Sequence, residues 1–127
     1  MKSKNRFADA VLAKIHKEKI LGIRAGRDQT HRVIGIWAVV VEGRVFVRSW
    51  SLKPRSWWRT FLEDPQGIIV VAGREIPVRA VQTGSERLKD LVSAVYKEKY
   101  NRPGDIQYVK DMSRKKSRDT TTELVPN

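Results

Sequence analysis

Residues 33–49 read VIGIWAVVVEGRVFVRS, and the fold turns on how they are divided. From Val33 to Val41 the run is apolar on both alternating faces and rich in β-branched side chains. It is too short to cross a bilayer as a helix, so it predicts one strand buried on both sides. Glu42 and Gly43 then separate it from a second strand, with the spacing and glycine placement of a tight hairpin. Successive strand side chains point to opposite faces. Val45, Val47 and Ser49 therefore share one face, assigned to the core, and Arg44, Phe46, Arg48 and Trp50 share the other.

On either side of this hairpin the elements are short. Residues 6–19 set Phe7, Ala8, Val11, Leu12 and Ile15 at helical intervals among Lys and Glu, as an amphipathic helix requires. ILGIRA (20–25) reads as a strand, and GRDQTHR (26–32) carries the Gly, Asp and Thr of a turn. Beyond the hairpin, residues 54–62 predict a short helix bearing Trp57, Trp58, Phe61 and Leu62, with Pro54 in its first turn and Asp64-Pro65 stopping it. GIIVVA (67–72) and EIPVRAVQ (75–82) form a second hairpin around Gly73 and Arg74. TGSE (83–86) is a capping box opening a helix whose Leu88, Leu91, Val92, Val95 and Tyr96 make one stripe, ending near RPGD (102–105). The tail predicts one helical turn and a last strand over 120–125.

Two to three helices and about six strands joined mainly by hairpins favour an α+β fold, a small antiparallel barrel, over a parallel βαβ layout. A barrel strand shows only one face to the interior. The second apolar face of residues 33–41 must then be covered by the chain's own helices or by another subunit, and a homodimer using part of this surface is expected.

The chain has 127 residues, the size of a single domain over 1–127. With no cysteine it lacks disulfides, thiolate nucleophiles and cysteine-based metal sites, which fits a reducing compartment. A cytoplasmic location is expected, since no targeting or spanning segment is visible. The formal charge is +12. Residues 1–60 carry fourteen basic and four acidic side chains, and residues 61–127 twelve and ten, so the excess lies in the first half. Such a field concentrates phosphates and carboxylates, although a solvated basic surface accounts for the charge equally well.

Chemical motifs are scarce. His16 and His31 have no neighbours at ligand spacing, so no metal is expected. No nucleophile elbow, phosphate loop or dinucleotide fingerprint is present. Glu63 and Asp64 are assigned to ending their helix, because a catalytic carboxylate pair must face across a site. What remains is RSWSLKPRSWWR (48–59), with four basic side chains, three tryptophans and no acid. Arg48 offers a planar fork, Lys53 a mobile charge, and Ser49 and Ser51 hydroxyl donors, a set suited to a phosphorylated ligand. Arg27 and Arg32 can add charge at the same end, or stand exposed in solvent. Trp50, Trp57 and Trp58 suit either a flat ring or the core. Two tryptophans at adjacent helical positions cannot face the same way, which assigns at least one to packing.

With GRDQTHR, then VFVRSWS (45–51), WWRTFLEDP (57–65), AGREIPV (72–78), AVYKEKYNRPG (94–104) and a closing ELVP (123–126), the chain resembles a small bacterial family catalogued as domain of unknown function 2255. The resemblance implies a split β-barrel of the flavin-reductase and pyridoxamine-phosphate-oxidase kind, usually dimeric. In related split barrels, including deazaflavin-dependent reductases, a Ser or Thr at the end of this strand and Lys or Arg in the following loop hold the cofactor phosphate. Arg48, Ser49, Ser51 and Lys53 occupy those places here. Gly26, Arg27, Thr30 and Arg32 also resemble the deazaflavin group, whereas residues 49–58 lack its glycine-containing loop.

Three functions fit. The first is a barrel binding FMN or a deazaflavin, with an oxidoreductase expected in which the cofactor ring carries the redox chemistry. The second is a nucleic-acid module that tracks a single strand with basic and aromatic residues, its affinity falling steeply with salt. The third is a cofactor-free dimeric scaffold.

Overall fold

The structure is a computed structural model that describes residues 6–26, 32–49 and 56–127. Arg27, Thr30, His31, Trp50, Ser51, Lys53 and Pro54 lie outside the described residues. Helix α1 (Asp9–Lys17) precedes strands β1 (Leu21–Ala25), β2 (Ile34–Ile36), β3 (Ala38–Val41) and β4 (Arg44–Val47). Helix α2 (Trp57–Glu63) leads to β5 (Gln66–Val71) and β6 (Arg74–Gln82). Helices α3 (Glu86–Lys99), α4 (Ile106–Met112) and α5 (Lys115–Arg118) come before the last strand, β7 (Thr122–Pro126). The class is α+β as expected, with more elements than the sequence suggested.

All described strand pairs are antiparallel, and the sheet order is β2-β1-β5-β6-β7-β4-β3. The sheet curls into a nearly closed barrel with one seam. Its two ends, β2 and β3, are joined in the chain by Trp37 alone. The single strand expected over 33–41 is therefore two strands on opposite sides of the seam. The apolar pattern runs unbroken because Ile36 and Ala38 both face the interior, on either side of a residue that belongs to no ladder.

Two clusters divide the core. Inside the barrel, Ile23, Val45, Val47, Ile69, Val78 and Leu124 pack with Leu12 and Ile15 of α1 and Phe61 of α2. Outside it, Val39, Val41 and Phe46 pack beneath Leu88, Val92, Tyr96 and Tyr100, with Val109 and Met112 of α4. Cross-strand partners share a face: Val39 opposes Phe46, and Val40 opposes Val45. The hairpin thus has two core faces instead of the one assigned to the valines. The second apolar face of β3 is covered by α3 of the same chain.

Local corrections have local causes. The first hairpin turns at Glu42 and Gly43, both at positive φ as a primed turn requires. The second turns at Ala72 and Gly73, one residue earlier than expected, for the same reason. Helix α2 starts at Trp57, where the Ser56 hydroxyl accepts the Arg59 N–H. In α3 the cap is Ser85, whose side chain accepts the Leu88 N–H, so Thr83 does not head a capping box. Thr83 instead donates its backbone N–H to Thr121, extending the pairing toward β7. Helix α4 was not anticipated: Val109 and Met112 are its only buried residues, too few to display a stripe over seven positions.

Candidate functional site

Where β2 and β3 part, the seam opens into a cavity of about 520 Å³. Ile34, Gly35, Ile36 and Trp37 form one wall, and Arg48 and Ser49, just past β4, form another. Ser56 and Trp57 at the head of α2, with Tyr108 and Met112 of α4, complete the described lining. The walls are mainly apolar and aromatic. Ser49 and Ser56, the residues bounding 50–55, both line the cavity.

Trp37 is held from several sides. Its indole stacks on Tyr100 at 4.1 Å with the planes 4° apart, and meets Tyr108 edge-on at 6.0 Å. Its carbonyl accepts the Tyr96 hydroxyl at 2.7 Å. The Tyr100 hydroxyl donates to the carbonyl of Lys19 at 2.7 Å and accepts the Ala38 N–H at 3.2 Å. Lys99 donates to the carbonyls of Ala38 and Ile15 at 2.7 and 2.8 Å. Helical spacing in YKEKY (96–100) thus delivers two phenols to Trp37 and an ammonium to its neighbour Ala38. Burial holds both phenols well above their ordinary pKa and pulls Lys99 down to about 8.

Arg48 is 2 % exposed, and its guanidinium is largely committed inside the protein. Nε donates to the Thr121 hydroxyl at 2.8 Å. Nη1 donates to the Ser93 hydroxyl at 2.8 Å and the Met112 carbonyl at 3.0 Å, and Nη2 to the Lys89 carbonyl at 2.8 Å. Tyr96 presents its ring 5.9 Å away. Arg48 therefore ties β4 to α3, α4 and the approach to β7, and burial lowers its pKa to about 10. Ser49 is buried as well; its N–H donates to the Thr120 hydroxyl and its carbonyl accepts the Ser117 hydroxyl.

The structure brings together only part of the set proposed from sequence. Arg48 and Ser49 reach the cavity, Arg32 is exposed before β2, and Arg27, Ser51 and Lys53 lie outside the described residues. Trp57 lines the cavity and also packs edge-on to Phe61 at 6.0 Å. Trp58 points elsewhere, donating to Gln82 at 2.9 Å. Asp64 caps the end of α2, and its carboxylate accepts the Gln66 N–H. Phe46 and Arg48 are buried, so they offer no surface track for a single strand. Among the described residues no cluster of three His, Asp or Glu could hold a metal, and no helix is long and apolar enough to cross a membrane.

Residues 11–124 match the profile of a family described as an uncharacterised protein conserved in bacteria, DUF2255. The chain belongs to the DUF2255 family. No curated protein matches this DUF2255 sequence. Among solved structures, its fold is similar to the crystal structure of the conserved hypothetical protein Rv2991 from Mycobacterium tuberculosis, with a TM-score of 0.63 and 12% identity. That match covers 100% of this chain and 84% of the other. Of the stretches that carried the resemblance, VFVRS brings Arg48 and Ser49 to the cavity of this DUF2255 barrel, WWR brings Trp57, and YKEKY holds Trp37 through Tyr96 and Tyr100. Trp37, Tyr108 and Met112 were missed as site residues. A lone tryptophan within a β-branched run was the available signal for Trp37, while Tyr108 and Met112 sit on the unanticipated helix.

Proposed function

We propose that this DUF2255 protein binds a flavin-type phosphorylated cofactor in the seam cavity and acts as an oxidoreductase through it. The observation that carries the proposal is the cavity itself. At about 520 Å³ it falls within the range of small-molecule sites, and the Trp37 and Trp57 side chains give it aromatic walls suited to a flat ring. The phosphate is assigned to Ser51 and Lys53 with Ser49, and Arg27 and Arg32 contribute charge. Arg48 has a different part: four of its five N–H groups are used internally, so it holds the cavity wall in place and cannot fork a phosphate. A bound flavin would supply hydride or electron transfer, and the chain would orient the ring and shield it from water.

The test is a titration of purified protein with FMN and with a deazaflavin, followed by ligand absorbance and tryptophan fluorescence. Binding should perturb the ring spectrum and quench Trp37 and Trp57. Absence of any spectral or fluorescence change with both ligands would refute the proposal.

A further inference from the structure

Arg48 combines three observations that packing alone does not explain. Its side chain is almost wholly buried; its acceptors are two hydroxyls and two backbone carbonyls, none of them a carboxylate; and it lines the cavity. Asp90, whose charge acts on Arg48 through space, is bonded to Arg118 at 2.8 Å. Met112, whose carbonyl takes one of the Arg48 bonds, lines the same cavity, so the guanidinium is tied to a second cavity-lining residue. One Nη2 hydrogen is left over. A buried cation without a counter-ion is costly, and the cost falls when an anion enters beside it.

We infer that the seam cavity selects a planar aromatic carboxylate, with Arg48 as the residue that sets this preference. The inference rests on the cavity being a ligand site, as proposed above, but not on the ligand being a flavin. It separates two roles that the sequence placed together: charge at residues 50–55 for a phosphate, and charge at Arg48 for a single delocalised anion inside the cavity. An apolar cavity without a usable cation would favour the neutral member of an isosteric pair, because a carboxylate loses more hydration on entry. The sign of the preference is therefore diagnostic.

Benzoate and benzamide are matched in shape and differ in charge. Titrated into the wild-type protein at constant ionic strength, benzoate should bind about tenfold tighter or better, the scale of a charge-assisted hydrogen bond in a buried site. In nitrogen-15 spectra benzoate should move the Arg48 Nε–H resonance, and benzamide should move it much less. An Arg48→Lys variant, which keeps the charge and loses the fork, should retain the sign of the preference, and Arg48→Met should reverse it. If neither variant folds, the wild-type probe pair and the Arg48 resonance still decide the matter. Equal affinities, tighter benzamide, no binding of either probe, or a benzoate preference that leaves the Arg48 resonance unmoved would each overturn the inference. FMN binding accompanied by equal benzoate and benzamide affinities removes this inference and keeps the cofactor proposal. Benzoate preference without FMN binding does the reverse.

Discussion

Lys99 is held by two backbone carbonyls at the seam, and burial lowers its pKa from the ordinary 10.5 to about 8. A depressed lysine is neutral in the native state while still protonated in the unfolded chain. Between about pH 8 and 10 the unfolded state therefore binds more protons, and Lys99 makes stability rise with pH across that window. Below pH 8 the ammonium is charged in both states and its burial penalty is fully present. Above about pH 10, Tyr96 and Tyr100 act in the opposite sense, because burial keeps their hydroxyls protonated until the chain unfolds. Arg48, lowered to about 10, partly offsets them. Denaturant unfolding across pH 8 to 10 should show a rising limb that Lys99→Met flattens; an unchanged slope in the variant would count against this assignment. Of YKEKY, Tyr96 was visible in the sequence as the last member of the helical stripe. That Lys99 and Tyr100 turn toward α1 and β3 was not, because their partners are backbone groups more than sixty positions away.

Among the elements, hairpins were the most legible, since alternating apolar strands and a glycine at positive φ are local properties. Helix α2 was legible for the same kind of reason, but its seat was not. Phe61 packs against Gly67 of β5 so closely that an added Cβ would lie 2.8 Å from the ring and 2.7 Å from the Arg24 carbonyl. Backbone cannot yield as a flexible side chain does. Gly67→Ala should therefore lose about 1–3 kcal/mol by overpacking, measured as a lower denaturation midpoint with an unchanged slope. Gly73→Ala is a useful comparison, because there the strain is purely conformational and nothing lies within 4 Å. A Gly67→Ala protein as stable as the parent would show that α2 does not rest on β5 as described. In the last third of the chain α4 was the illegible element: it is short and mostly exposed, so tertiary contact rather than periodicity places it, whereas the single turn of α5 was expected.

At the scale of the whole molecule, the barrel depends on one junction. The strands β2 and β3 are continuous in sequence but do not pair, and Trp37 spans them under the hold of Tyr96, Tyr100 and Tyr108. Edge strand β2 pairs over three residues, whereas β5 and β6 pair over six at the centre. Hydrogen exchange should therefore be faster in β2 than in β5 and β6, and Trp37→Ala should lower protection in β2 and β3 while leaving the central strands close to the parent. Uniform loss of protection would mean that the barrel opens as one unit. By itself the sequence determined the α+β class, the two hairpins, the amphipathic helices and the concentration of charge in the first half, because these follow from periodicity, turn chemistry and composition. Only the tertiary structure decided that the run at 33–41 is split by the seam, that Arg48 turns inward to join four elements, and that a cavity lies beside it. Each of those outcomes depends on which distant surfaces meet when the sheet closes, and no local pattern of side chains encodes that meeting.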